Sequence, residues 1–166
     1  MSDLTKSEKI SLGKTEIAKR IRQQLKEEFK NCKFSVVKQS YSGGSSITIR
    51  LVKAGFKVVK DFSEIPEATL IEYADKDGRA RTQIKEMQES GCHQLSTYTL
   101  RRDYNASEWC NGVFLTEEGH KLWRRVVKIA DYYNFDESDM QTDYYSVNFS
   151  LELRIGEYDK PFIQTA

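Results

Sequence analysis

Four groups of residues have types and spacings that could do chemistry. Downstream of Thr116, the residues Lys121, Arg124, Arg125 and Lys128 fall at i, i+3, i+4 and i+7. On a helix that spacing puts four cations on one face, suited to phosphates or to an acidic protein surface, or simply to solvent. The stretch from Asp131 to Asp143 gathers Asp131, Asp136, Glu137, Asp139 and Asp143. Five carboxylates could hold a hard cation, work as an acid–base pair or stand as a solvated loop. The spacing lacks the Gly and the terminal bidentate Glu of a calcium loop.

The third group is Tyr41-Ser-Gly-Gly-Ser-Ser46. Gly43 and Gly44 let backbone N–H groups converge on an anion, and Ser45 adds a hydroxyl donor beside Tyr41. A phosphate loop proper also needs a Lys and a Ser or Thr opening a helix, whereas this loop leads into a strand. A hairpin connection is the plainer reading. The fourth group is sparse: His93 and His120 are the only histidines, and Cys92 precedes His93 directly. Adjacent side chains on a strand diverge, and no Cys-x-x-Cys pair is present, so neither a cysteine nucleophile nor a structural zinc is expected. We expect no catalytic residues, no cofactor and no metal; the chain reads as a binding protein rather than an enzyme.

The elements that carry these groups follow from periodicity. Ile17, Ile21, Leu25 and Phe29 recur every four residues between Lys14 and Lys30, the apolar stripe of an amphipathic helix that Ser11 or Thr15 could cap and Asn31 could stop. Lys33 to Lys38 predicts a strand, and Ile47, Ile49 and Leu51 a second one, joined as a hairpin by a longish glycine–serine loop. Phe56 to Phe62 reads as a third strand. Pro66 suits the first turn of a helix in the segment that runs to Ser90, Leu95 to Leu100 reads as another strand, and Arg101 to Gly112 as a loop. Thr116 caps a helix with Glu117 and Glu118 in its first turn and Leu122, Val126, Ile129 and Tyr133 as its buried stripe, with Trp123 packed on the sheet. Tyr145, Val147, Phe149, Leu151, Leu153 and Ile155 alternate with polar residues, predicting one long strand with a buried and a wet face. The expected fold class is α+β: an antiparallel sheet with two or three helices packed on one face. We read 1–166 as a single domain, with residues 1–12 free to stand off as a disordered tail.

With 166 residues, 39% of them apolar and 31% charged, the chain is long enough to bury a core without disulfides or metal. No segment is apolar enough to span a bilayer or to serve as a secretory signal. Cys32, Cys92 and Cys110 are an odd set with irregular spacing, which fits a reducing compartment. The expected location is the cytoplasm of a bacterial host, with no membrane partner. The net charge of +1 conceals an uneven distribution: Met1 to Lys60 carries eleven Lys and three Arg against five acids, a local +9 that leaves −8 for the other 106 residues. Such a molecule offers two faces rather than one basic surface.

Three segments together carry a resemblance. The helix ending in Ile21-Arg-Gln-Gln-Leu-Lys-Glu-Glu-Phe29, the strand Lys33-Phe-Ser-Val36 with its Tyr41-Ser-Gly-Gly-Ser-Ser-Ile47 loop, and the run Asp136-Glu-Ser-Asp-Met-Gln-Thr-Asp-Tyr-Tyr145 resemble a family of large-polyvalent-protein-associated domains of phages, plasmids and other mobile elements. The family has no settled biochemical activity. The resemblance implies a context, since such domains accompany anti-restriction and other proteins that protect an incoming element. In the family a Trp and an Asp-Gly-Pro turn commonly follow the second strand, where this chain has Leu51-Val-Lys-Ala-Gly55. The expected partner is therefore a host defence protein or nuclease complex, engaged by the acidic region from Asp131 to Asp143. The alternative is direct DNA or RNA binding through the basic N-terminal helix, Arg50 and the stripe from Lys121 to Lys128.

Overall fold

Helix α2 (Lys14–Glu28) forms where the four-residue apolar period predicts it, and Ile17, Ile21 and Leu25 on its inner stripe are fully buried. Phe29 closes the helix by donating its N–H to the Leu25 carbonyl, and Gly13 stands at the N-cap without a side-chain bond. The computed structural model describes residues 3–66, 68, 86, 89–102, 114–143 and 146–165. Ahead of α2, residues expected as part of a tail carry the short helix α1 (Lys6–Ser11). Its Thr5 and Glu8 form a reciprocal capping box, two bonds that hold a single turn which would otherwise fray.

The sheet begins as a hairpin, β1 (Cys32–Tyr41) and β2 (Gly44–Ala54), in antiparallel register from Cys32 opposite Ala54 to Tyr41 opposite Gly44. The strands run further into the glycine–serine segment than its composition suggests. The turn proper is Ser42-Gly43, with Gly43 at a φ of 99° that a residue with a Cβ rarely adopts. Strand β3 (His93–Leu95), helix α3 (Thr97–Arg101), helix α4 (Glu117–Tyr133), strand β4 (Ser150–Ile155) and the two-residue strand β5 (Ile163–Gln164) complete the described elements. The strand order is β1-β2-β4-β3, with β5 beside the end of β2. The α+β class and the layer of helices are as expected. The expected antiparallel sheet holds for β1–β2 and β3–β4, but β2 runs parallel to both β4 and β5, an orientation that alternation alone could not give.

One face of the sheet presents Val36, Ile49, Leu153, Leu95 and their neighbours to α2 and α4. Trp123 of α4 is fully buried and meets the Phe34 ring of β1 edge-on, with centroids 6.2 Å apart. The opposite face is polar. Register places Ser35, Arg50, Arg154 and Gln94 in one row across the four strands, with Thr48 and Glu152 in the next.

Three local expectations are corrected. Phe56 to Phe62 is not a ladder strand: on one edge Gln164 accepts from the Val58 and Val59 N–H groups at 2.8 and 3.0 Å and donates to the Val59 carbonyl, and on the other the Thr116 N–H donates to the Val58 carbonyl and the Lys60 N–H to the Phe114 carbonyl. Among the described residues, a single bridge, Val59 to Leu115, and the 3₁₀ turn Phe62–Glu64 remain. The strand expected at Leu95 to Leu100 turns instead into α3, because Ser96 accepts from the Thr99 N–H and caps a helix. The long strand expected from Tyr145 is shortened to β4. The Asn148 N–H bonds the Phe135 carbonyl, and Asn134 takes both backbone groups of Phe149, so this stretch pairs with the exit of α4 and leaves Val147 45% exposed. The helix expected after Pro66 lies outside the described residues apart from isolated positions. Of the loop expected from Arg101 to Gly112, Arg101 still belongs to α3, and residues 103–112 lie outside the described residues.

Helix α4 starts where Thr116 predicts. The Thr116 hydroxyl accepts from the Gly119 N–H at 3.0 Å and donates to the Lys57 carbonyl at 2.7 Å. A Cβ on Gly119 would lie 2.4 Å from the Val58 carbonyl oxygen. Gly119→Ala is therefore expected to destabilise the fold by roughly 1–3 kcal/mol through this backbone clash, read as a shift in the urea midpoint.

His93 gives a pH-dependent stability. It is buried, stacked on Phe114 with ring centroids 4.9 Å apart, and desolvation pushes its imidazole down to about 4. Between about pH 6.5 and 4 the unfolded chain binds a proton that the folded chain refuses. This contribution is thus full above about pH 6.5 and is lost as pH falls toward 4, on the order of 3 kcal/mol in all. Urea midpoints measured across that window should fall in the wild type and fall less in His93→Phe; equal slopes would remove His93 as the cause.

Candidate interaction surfaces

Four of the five acidic residues, Asp136, Glu137, Asp139 and Asp143, sit on a loop that leaves α4 and returns to β4, while Asp131 belongs to the last turn of α4 itself. Its neck is closed by a bridge between Asp136 and Val147 and by the Glu137 N–H donating to the Ser146 carbonyl at 2.7 Å. Inside the neck, Asp136 accepts from the Ser138 N–H and Asp139 from the Gln141 N–H, both at 2.9 Å. These turns follow from short carboxylates bonding backbone two residues on. They bring Met140 to the tip, 92% exposed.

The five predicted carboxylates divide into two kinds. Asp131 receives Nε and Nη2 of Arg101 in a bidentate pair at 2.8 and 2.7 Å, and Glu137 pairs with Lys6. Asp136, Asp139 and Asp143 have no ion pair among the described residues. The Asp136 carboxyl is held below its ordinary range, chiefly by hydrogen bonds from Ser138 and also by the charge of Arg101. It therefore stays ionised through any physiological pH. Asp143 holds a left-handed conformation, φ 53°. Among the described residues no group of three or more His, Cys, Asp or Glu is placed to hold a metal ion.

Beneath the neck lies an open cavity of about 480 Å³, between α3, the C-terminal turn of α4 and the start of β4. Phe135, Val147, Phe149 and Leu151 supply its apolar wall, and Arg101, Asp131 and Asp136 its charges. Arg101 and Thr97 were not singled out by the sequence. Arg101 lies thirty residues from the carboxylate it binds, and nothing local marks it.

The basic group does not form a single face. Arg50 points to the polar side of the sheet, opposite to α4, and pairs there with Glu157. Beside it Arg154 pairs with Glu152 at 3.0 Å. On α4, Lys121 pairs with Glu117 of the same helix and Arg125 with Glu28 of α2, each partner raising the basic group's affinity for its proton. Arg124 is half-buried, and Lys128 is exposed. Arg125 and Lys128 do line a second cavity of about 470 Å³ between α2 and α4, joined there by Arg20, Tyr132 and Tyr133. Arg20 is the member missed by the sequence, because only the helix crossing brings it to the stripe. The loop residues Tyr41, Gly43, Gly44 and Ser45 stand at the far end of the hairpin, with Gly44 and Ser45 in the ladder opposite Tyr41 and Ser40.

Cys92 and His93 diverge as expected: the thiol lies 3.9 Å from the Gly156 carbonyl while the imidazole enters the core. No described helix is long and apolar enough to cross a membrane.

A family model described as large polyvalent protein associated domain 29 matches residues 12–107 of the chain. The match takes in α2 and the whole β1–β2 hairpin and stops short of the acidic loop. No curated protein and no solved structure matches.

Proposed function

The chain belongs to the large polyvalent protein associated domain 29 family, and from that membership and its acidic loop we propose that it is a non-enzymatic binding protein that inhibits a host defence system. Membership associates it with phages and other mobile elements. The inhibition would be of the anti-restriction or anti-CRISPR type, by occupation of a protein surface or nucleic-acid channel. The observation that carries this reading is the pinned loop, in which Asp136, Asp139 and Asp143 form no ion pair among the described residues around an exposed Met140. Carboxylates repeated along a short loop imitate a run of phosphates, and an exposed methionine adds an adaptable apolar contact. Affinity purification from cells carrying restriction and CRISPR systems tests it. A retained defence component that DNA displaces supports the reading, and retention of none removes it.

A second reading, direct nucleic-acid binding, is favoured by the groove between α2 and α4, where Arg20, Arg125 and Lys128 rim Tyr132 and Tyr133. Because Arg20 and Arg125 already pair with Glu16 and Glu28, few phosphates would be neutralised. The salt slope for duplex DNA should then be shallow, about −0.9 for each phosphate contacted. A gel shift unchanged by Arg125→Glu with Lys128→Glu would exclude the groove.

A further inference from the structure

The cavity under the neck of the acidic loop has a charge balance and wall chemistry that specify more than a generic contact. Arg101 is bound in its own plane by both oxygens of Asp131 at 2.8 and 2.7 Å, so its charge is matched inside the wall. Asp136, at the neck, has no such partner, and the lining is left with an excess of one negative charge. Asn134 offers no acceptor to a cation: its amide oxygen accepts from the Phe135 and Phe149 N–H groups, and its amide nitrogen donates one N–H to the Phe149 carbonyl. The rest of the wall is apolar, with Val147 exposed at the rim and Phe149 buried behind it. A cavity of about 480 Å³ lies within the size range of small-ligand sites, about 300–1,000 Å³.

A ligand that fits must be cationic at one end and apolar along its stem. An anion would meet the excess carboxylate, and a wholly apolar group would strand Asp136. Between the two natural cationic side chains, a guanidinium is planar, weakly hydrated and able to lie on an aromatic ring while donating to a carboxylate. Phe135 and Asp136 are adjacent in the chain and both line the cavity. We infer that this cavity is a socket for one arginine side chain of a protein partner, an inference that rests on the reading of the chain as a binder of nucleic-acid-handling proteins. Proteins that hold nucleic acid carry such arginines on their phosphate-binding surfaces. The loop would then engage that surface as a phosphate run does, and the socket would fix the register.

The test is an amide-resolved NMR titration with N-acetyl-arginine methylamide, with the norleucine analogue as the apolar control and the lysine analogue as the cationic one. The expected result is saturable shifts at Thr97, Val147 and Leu151 with the arginine probe, weaker shifts with lysine and none with norleucine. Asp136→Asn keeps the side-chain oxygen that accepts from Ser138 and removes only the charge, and should weaken arginine binding at least about tenfold. Val147→Trp at the exposed rim should block it, with an unchanged melting temperature showing that the fold is intact. Shifts that are absent, spread elsewhere or unaffected by Asp136→Asn would overturn the socket. Partner capture separates this inference from its premise. Capture lost with the loop variants but kept in both Asp136→Asn and Val147→Trp leaves the binding role standing and removes the socket. Capture indifferent to all of them removes both.

Discussion

Replacing Asp136, Asp139 and Asp143 together by Lys should lower affinity for the captured defence component by at least about a hundredfold, because like-charge contacts across an interface cost several kcal/mol. The mechanism is electrostatic, so the milder triple Asp136→Asn, Asp139→Asn and Asp143→Asn should also weaken binding, mainly by slowing association, and more so at low salt. Asn retains an acceptor oxygen for the Ser138 and Gln141 N–H groups, so the turns that present Met140 survive in that variant. Neutralising Asp139 or Asp143 alone should matter little, as exposed charges contribute roughly 0–1 kcal/mol each, whereas Asp136, which also lines the cavity, should matter more. Surface plasmon resonance at two salt concentrations measures all of this. An Asn triple with wild-type association rate at low salt would show that the loop is not the docking surface.

Trp123→Ala should be the most damaging single substitution in the core, costing about 3–5 kcal/mol. Trp123 is fully buried beneath the sheet, contacts Phe34 edge-on, and joins α4 to the β1–β2 hairpin that carries much of the core. Its indole Nε1 is buried with no hydrogen-bond partner among the described residues. Trp123→Phe deletes that unpaired donor along with part of the ring, and should therefore cost much less than Trp123→Ala, under about 2 kcal/mol. Equilibrium urea unfolding of the two variants checks the ordering. Equal losses would mean that the packing a phenyl ring retains recovers nothing and that contacts peculiar to the indole decide the cost.

What was legible in the sequence was what depends on neighbours a few residues apart. The stripe of α2, the Thr116 cap of α4, its acidic first turn and its end at Asn134 are all local, and all are present. The strand at Ile47, Ile49 and Leu51 is equally plain because these alternating apolar residues, all fully buried, share the core face. Long-range side-chain bonds were illegible. Gln164 bonds one backbone edge of Val58 and Val59 from more than a hundred residues away, and Asn134 diverts Phe149 from the sheet. A tract of Ser and Thr can signal a strand or a cap, and at Ser96 it was a cap.

The same division runs through the candidate sites. Composition found the acidic loop and the cationic stripe of α4. It could not find that Lys6 and Arg101 neutralise two of the five carboxylates, that Arg50 lies on the other face of the sheet, or that Arg20 completes the groove. The charge asymmetry noted in the sequence is thus partly absorbed within the molecule, as basic residues from the N-terminal third reach across to Glu137 and Glu157. The carboxylates left over are those at the loop's neck and tip.

The proposed role is tested most directly by the transformation efficiency of a targeted plasmid in cells that carry the captured defence system and express the chain. Wild-type protein should restore efficiency toward that of defence-deficient cells, while the Asn triple, expressed to the same level, should not. No restoration by the wild type, or equal restoration by the triple variant, would contradict a defence-blocking protein acting through its acidic loop.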